Sequence, residues 1–298
     1  MSTYETLIVD RLGTDRRIGR ITLNRPERVN ALNAKLFREF RDALQALEAD
    51  HECRVIIVRG AGRGFCAGYD LGPQPADDRS DRPRRTHTDA KGRPLSLEFR
   101  AALQEAVDIQ LYFWNVAKIT IAQLHGPVLA GGCELAMMAD LVVAADDAEI
   151  GHPGLRGIGT ARNGNIWPLV VGMRKAKELY YTGDNVTGAQ AVECRMINYA
   201  WPAEELDART LAFADRIANM TSDHLAVLKL TMNRFYENMG IYSSIRSATD
   251  LDALAQFTEH TYQFRDEFAA GGLKHALRWR DEPYRNLSNE SASAEDER

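Results

Sequence analysis

The sequence predicts an α/β fold with a helical C-terminal region. Three observations carry that expectation. Up to about residue 202, short apolar runs with strand character alternate with segments of helical periodicity. Beyond Ala203 nearly everything reads as helix. Glycine-rich loops follow the most apolar strand candidates, as where backbone must turn tightly or approach something closely. The expected organisation is a core over 1–202 with an inserted loop at 73–94, a helical region over 203–285, and a polar, disordered tail over 286–298.

Thr6 to Leu12 and Ile18 to Leu23 read as two strands joined by the turn Gly13-Thr14-Asp15, a hairpin. Pro26 lacks an amide donor and ends the second strand. Asn33 is an N-cap for a helix reaching about Glu48, whose Leu36, Phe37, Phe40, Leu44 and Leu47 keep one face apolar. Val55 to Val58 is an uninterrupted apolar run, expected for a strand buried on both faces. Gly60 to Gly72 is dense in glycine, and Pro73 to Pro94 is dominated by Asp, Arg, Pro, Thr and Gly, an insert or lid. Helical spacing returns from Leu97 to Trp114. Ile119 to Leu124 reads as strand, Cys133 to Ala139 as helix and Leu141 to Val143 as strand.

Further on, Asn163 to Val171 and Arg174 to Tyr181 read as helices. Thr187-Gly188-Ala189-Gln190 has capping-box spacing, and Met196 to Trp201 reads as a last strand. The remaining helices are expected at Ala203–Ala218, Ser222–Asn238, Tyr242 to about Glu267 and Gly272–Arg278. In the second of these, Leu228, Met232, Phe235 and Met239 form a stripe expected to be buried.

Composition excludes several classes. The net charge of −5 gives no nucleic-acid footprint. The four cysteines, Cys53, Cys66, Cys133 and Cys194, contain no CxxC pair, which argues against a zinc cage or disulfide framework and for a reducing compartment. The N-terminus lacks a basic-then-apolar signal pattern, and no apolar run reaches the ~20 residues needed to cross a bilayer. A cytoplasmic location without membrane partner or metal is expected.

The stretch Lys118 to Gly151 concentrates the chemistry: strand, glycine loop, helix, strand, with one charged residue, Glu134, in the first turn of an apolar helix. A helix start after glycines presents unpaired N–H groups that can hold a developing oxyanion. A carboxylate beside them can move a proton, although the helix dipole alone also favours Glu there.

Four segments in order, ITLNRPERVNAL (21–32), RVIIVRGAGRGFCAGYDL (54–71), AQLHGPVLAGGCELAMMADLVVAADDAEIGHP (122–153) and LYYTGDNVTGAQAVECRMIN (179–198), resemble the crotonase, or enoyl-CoA hydratase/isomerase, superfamily. The resemblance implies a spiral of ββα units and a helical C-terminal region that packs into homotrimers, often paired into hexamers. It implies an acyl-CoA substrate, with coenzyme A as part of the substrate and no separate cofactor. Carried over by motif, the oxyanion hole consists of the backbone N–H groups of Tyr69 and Gly131. Arg25, Arg28 and Val29, then Ala67, Gly68, Asp70 and Leu71, then Gly132, Pro153 and Gly154, match the segments around CoA and acyl group. Arg278 and Arg280 are further candidates for CoA phosphates, of the same or a neighbouring subunit.

Hydratases of this superfamily hold their water between two glutamates. Glu134 matches the first. The place of the second reads His152-Pro153-Gly154, so its side chain is missing. Substitutes are His152, Asn163 and Asn165, then His125 and Asp147. Arg156 and Arg162 are candidates for a substrate carboxylate or simply solvated. A hydratase is therefore expected, with enoyl-CoA isomerisation or carbon–carbon hydrolysis of a β-diketone as alternatives through the same hole. Ile166-Trp167-Pro168 resembles a sequence found in some diketone hydrolases. A silent acyl-CoA-binding paralogue is the remaining alternative. Leu97 to Trp114 is expected to line the acyl pocket.

Overall fold

The computed structural model describes residues 4–72 and 95–284. The expectations for 73–94, 286–298 and the Asn165 side chain fall outside what it describes. The chain opens with β1 (Leu7–Leu12) and β2 (Ile18–Leu23), an antiparallel hairpin in which Leu7 faces Leu23 and Leu12 faces Ile18. From β2 onward the sheet is parallel. It adds β3 (Val55–Gly60), β4 (Ile119–Leu124), β6 (Leu141–Ala145) and β9 (Tyr199–Trp201) in the order β1-β2-β3-β4-β6-β9. A second sheet holds β5 (Pro127–Leu129), β7 (Glu149–Gly151) and β8 (Asn185–Thr187) in the order β5-β7-β8. After β4, and again after β6, the chain steps from the first sheet to the second within a few residues. That step delivers the loop before Gly131 and the loop after Gly151 to the same end of the molecule. The second sheet was not visible in the sequence, because three-residue strands are too short to show alternation.

Helix α1 (Ala34–Ala49) is capped as expected, Asn33 accepting from the Leu36 amide at 2.9 Å. Its Leu36, Phe37, Phe40, Leu44 and Leu47 are buried, each contributing about 1.5–3 kcal/mol of apolar transfer. Phe40 meets Phe113 of α2 (Ser96–Asn115) edge to face, with ring centroids 5.3 Å apart. The apolar run Val55 to Val58 is buried, as its composition requires of a parallel strand covered on both faces.

Helix α3 (Gly131–Ala136) starts and stops earlier than the expected Cys133–Ala139 and has six residues. So short a helix adds little macrodipole. Residues Arg162–Ile166 form a 3-10 turn before α4 (Trp167–Val170), replacing the single helix expected from Asn163. α5 (Gly172–Thr182) and α6 (Gly188–Glu193) follow, the latter closed by the full Thr187–Gln190 capping box.

α7 (Ala203–Ile217) packs across β3, β4, β6 and β9, and α8 (Ser222–Asn238) packs on β4. The expected single helix from Tyr242 to Glu267 is two, α9 (Ile241–Ala255) and α10 (Glu259–Asp281). Gly272, at φ 76, divides α10 into two helical segments, and the helix expected from Gly272 is the second of them.

The expected burial of the α8 stripe is corrected. Leu228, Met232, Phe235 and Met239 are all exposed, Phe235 at 59%. α8 instead buries Leu225, Lys229 and Asn233. Lys229 Nζ donates to Asp140 at 2.8 Å and to the Lys118 carbonyl, and Asn233 donates to the Trp114 carbonyl at 3.1 Å. These polar anchors select the inward face and leave the apolar stripe outside.

Candidate active site

The site is assembled from three pieces of backbone and one helix. The first is the segment Arg25–Leu32. Asn30, fully buried, sits at φ 55, and its side-chain amide donates to the carbonyls of Ala61 at 2.8 Å and Gly64 at 2.9 Å. Ala67 donates to the Val29 carbonyl, Leu32 to the Gly68 carbonyl, and Asp70 to the Leu32 carbonyl. Arg25 pairs with Asp70 at 2.8 Å. The structure thus brings Arg25 and Val29 beside Ala67, Gly68 and Asp70, with Arg28 close to Gly72.

The second piece crosses the first. Gly68 has φ +106, and a Cβ there would lie 2.9 Å from the Ala130 side chain and 3.4 Å from the Gly131 nitrogen. Ala130 itself is held at φ 50, ψ −123, a strained conformation costing roughly 1–3 kcal/mol. Gly131 has no room for a side chain, because a Cβ would meet the Tyr69 ring at 2.5 Å. In the loop hydrogen-bond network of the described residues, neither the Tyr69 nor the Gly131 N–H donates to a backbone carbonyl. Two free amide donors on adjoining, sterically locked loops are what a developing oxyanion requires.

The third piece is the segment 152–163. Glu134, 3% exposed, is engaged on both oxygens. Oε1 accepts from the Arg162 backbone N–H at 2.8 Å and lies 3.4 Å from His152 Nε2. Oε2 accepts from the Tyr69 hydroxyl at 2.5 Å and from Arg162 Nη2 at 3.2 Å. Burial alone would raise the Glu134 pKa. The Arg162 guanidinium, with help from His152 and the Tyr69 hydroxyl, outweighs it and holds the carboxyl well below the usual range. Burial, together with the Glu134 charge, pushes the Tyr69 phenol well above its ordinary value, so it stays protonated as a donor.

Arg162 is corrected from a solvated arginine to a buried one, 2% exposed. Its guanidinium stacks over the Tyr69 ring at 4.3 Å and lies 3.7 Å from Asp252 of α9. Asp252 also accepts from the Thr160 N–H at 2.5 Å. Neighbouring side chains hold the same segment. Gln256 donates to the Ile158 carbonyl at 3.0 Å, Thr261 to the Gly157 carbonyl at 3.1 Å, and a His260 ring nitrogen lies 3.2 Å from the Arg156 carbonyl oxygen. α9 and α10 therefore fix the strand of backbone that carries Arg162.

Gly154 leaves space that the His152 ring occupies. A Cβ on Gly154 would lie 3.1 Å from His152 Cε1 and 3.3 Å from Nδ1. Both His152 ring nitrogens are buried without a hydrogen bond inside normal limits. Helix α2 reaches the site through Gln110, which donates to the Tyr69 hydroxyl at 3.4 Å and accepts from Asn163 at 2.9 Å. Trp114 of the same helix points elsewhere, against Tyr236.

Several candidates are not brought here. His125 bonds the Gly62 carbonyl at 2.9 Å, and Asp147 lies exposed in the turn between β6 and β7. Arg156 pairs with Asp184 at 2.6 Å and stacks on Tyr284. Arg280 is tied to Asp281, and Arg278 is exposed. Trp167 is buried against Tyr180. Sequence reasoning missed the Tyr69 side chain, Gln110 and Asp252. No local signal marked them, since each acts through a partner distant in sequence.

The α/β core thus carries two free amide donors, on glycine loops, beside a buried carboxylate. The enoyl-CoA hydratase/isomerase family model matches residues 13–261, and the chain belongs to that family. It is 33% identical to a crystal structure of an enoyl-CoA hydratase from Mycobacterium smegmatis, TM-score 0.82, covering 94% of each chain. It is 32% identical to an enoyl-CoA hydratase/isomerase from Xanthobacter autotrophicus Py2, TM-score 0.81, over 94% of this chain and 99% of the other. It is also 32% identical to a protein of Mycobacterium bovis named "Probable enoyl-CoA hydratase echA8", over 79% of this chain and 84% of that one.

Proposed function

We propose that this protein is a hydratase-type enzyme that adds water to the double bond of an enoyl-CoA thioester. The Tyr69 and Gly131 N–H groups hold the thioester oxygen, and the acyl-CoA lies against Arg25–Val29, Ala67–Leu71, Gly132 and Pro153-Gly154. The observation that carries this reading is the His152 imidazole, 3.4 Å from Glu134 and against the space a Gly154 side chain would take. We assign the imidazole proton to Nε2, 3.4 Å from Glu134 Oε1, which leaves Nδ1 as a base. Water adds to C3 as Nδ1 takes its proton, and the negative charge moves to the thioester oxygen. One amide donor there is worth about 3–4 kcal/mol in the transition state. The imidazolium, steadied by Glu134, then returns its proton to C2. Atoms and charge balance without a metal or redox cofactor, so none is proposed.

Three hydrogen bonds already fall on Glu134, two on Oε2 and one on Oε1, and Oε1 also faces His152, so Glu134 acts here mainly by positioning the imidazole. The crowding of Glu134 favours a second reading, double-bond isomerisation, in which His152 shuttles one proton and no water is held. Loss of the conjugated thioester absorbance of crotonyl-CoA tests the first reading. We expect turnover that falls about 10²–10⁴-fold in His152→Gln. Absence of turnover, with a 3-enoyl-CoA converted to its conjugated isomer, would select the second. Undiminished hydration in His152→Gln would refute the role of His152.

The reading includes a homotrimer, singly or paired into a hexamer. The support is the apolar face of α8, where Leu228, Met232, Phe235 and Met239 are all exposed, since clustered exposed apolar side chains mark an interaction surface. Light scattering of Met232→Glu checks it, with dissociation expected and an unchanged mass contradicting it.

A further inference from the structure

Among the described residues, unpartnered buried polar side-chain atoms concentrate at this site. Without a hydrogen bond are Arg162 Nη1, Asn163 Oδ1 and His152 Nδ1, and also Arg162 Nε and His152 Nε2, which only face Asp252 at 3.7 Å and Glu134 at 3.4 Å. Arg162 and Asn163 are 2% and 1% exposed, so bulk solvent does not satisfy them. A plain alkyl chain seated here would leave guanidinium donors and an amide acceptor unpaired, which buried sites avoid. Tyr69, Gln110 and Asn163 are already linked to one another, so they cannot turn to fill the deficit without breaking existing bonds.

We propose that the acyl group this site accepts carries an uncharged oxygen, a hydroxyl or a keto group, that pairs with Arg162 and Asn163. The inference rests on the acyl-thioester reading above. Charge decides against a carboxylate. The single guanidinium already faces two acids, Glu134 and Asp252, and a third anion would be repelled. A keto oxygen accepts from Arg162 alone. A hydroxyl also donates to Asn163 Oδ1, so it satisfies donor and acceptor together.

Calorimetric titration of the full chain tests this with saturated esters that cannot be hydrated. The set is hexanoyl-CoA, hexanoyl-CoA bearing a hydroxyl or keto group at C4, C5 or C6, beyond the carbons that react, and adipoyl-CoA as the carboxylate. At least one hydroxyl or keto ester should bind roughly 10- to 100-fold more tightly than hexanoyl-CoA, with adipoyl-CoA no tighter than hexanoyl-CoA. Asn163→Leu should erase more of the hydroxyl advantage than of the keto advantage. Equal binding of all esters would mean that these groups hold water instead, and tightest binding of adipoyl-CoA would reverse the charge argument; either overturns the proposal. If no CoA ester binds, the acyl-thioester reading fails as well.

Discussion

The site has two arms built on opposite principles. One arm, 66–71 with 129–134, works through backbone. Its donors are amides, and their geometry is set by glycines that admit no Cβ and by the strained Ala130. The other arm, 152–163, works through side chains. His152, Arg162 and Asn163 are held by partners from elsewhere, Glu134 on α3, Gln110 on α2 and Asp252 on α9. The backbone arm is rigid by local sterics. The side-chain arm is rigid only because distant helices clamp it. One arm is thus fixed by its own sequence, while the other can be retuned by substitutions some ninety residues away.

After His152→Gln, breaking the first arm should have the next largest effect. Gly131→Ala drives a Cβ into the Tyr69 ring, 2.5 Å from Cε2. Displacing one oxyanion donor should lower kcat about 10²–10³-fold, measured with crotonyl-CoA, while circular dichroism stays native. Near-normal kcat would mean that Gly131 carries no oxyanion donor.

Glu134→Gln strikes the joint between the arms. It leaves Arg162 with Asp252 as its remaining carboxylate partner, a loss of about 3 kcal/mol in stability by denaturant titration, with kcat reduced. The pH dependence follows from sign. The folded Glu134 pKa lies below the unfolded value, so its contribution is full above the unfolded value of 4.5 and is lost as pH falls toward about 2. Burial raises the Asp252 pKa, which gives the opposite slope, a penalty relieved on acidification. The variant should therefore lose stability less steeply below pH 4.5 than wild type. An equally steep acid limb would show that Glu134 is not ion-paired in the folded state.

Asp252→Asn should have the smallest effect and isolates the clamp. Asn still accepts from the Thr160 amide but no longer balances Arg162. We expect kcat to fall roughly tenfold with little change in KM, since the proposed thioester position is on the other arm. A rise in KM alone would assign Asp252 to substrate binding instead.

The same division explains what was legible in sequence. The backbone arm could be read, because glycine spacing in AGYD and AGGCE states a steric requirement that only local geometry imposes. Asn33 and the Thr187–Gln190 box were legible for the same reason. The side-chain arm was half visible. His152 and the missing carboxylate at Gly154 stood out, but Arg162 read as a solvated cation because nothing nearby in sequence announces its partners. The α8 stripe shows the complementary failure. Periodicity located an apolar face, yet Lys229 and Asn233 decided which face turned inward, through bonds to Asp140 and to main chain more than one hundred residues away.

The most direct test of the two-arm account is exchange of the C2 protons of butyryl-CoA in deuterated water, followed by NMR. It requires enolate stabilisation by the amides and proton transfer by His152, but no double bond and no hydration. Wild type should exchange, while His152→Gln should bind butyryl-CoA normally and exchange at least a hundredfold more slowly, the lower end of what a positioned acid–base group contributes, about 10²-fold. Equal exchange in the two proteins would contradict the assignment of proton transfer to the side-chain arm.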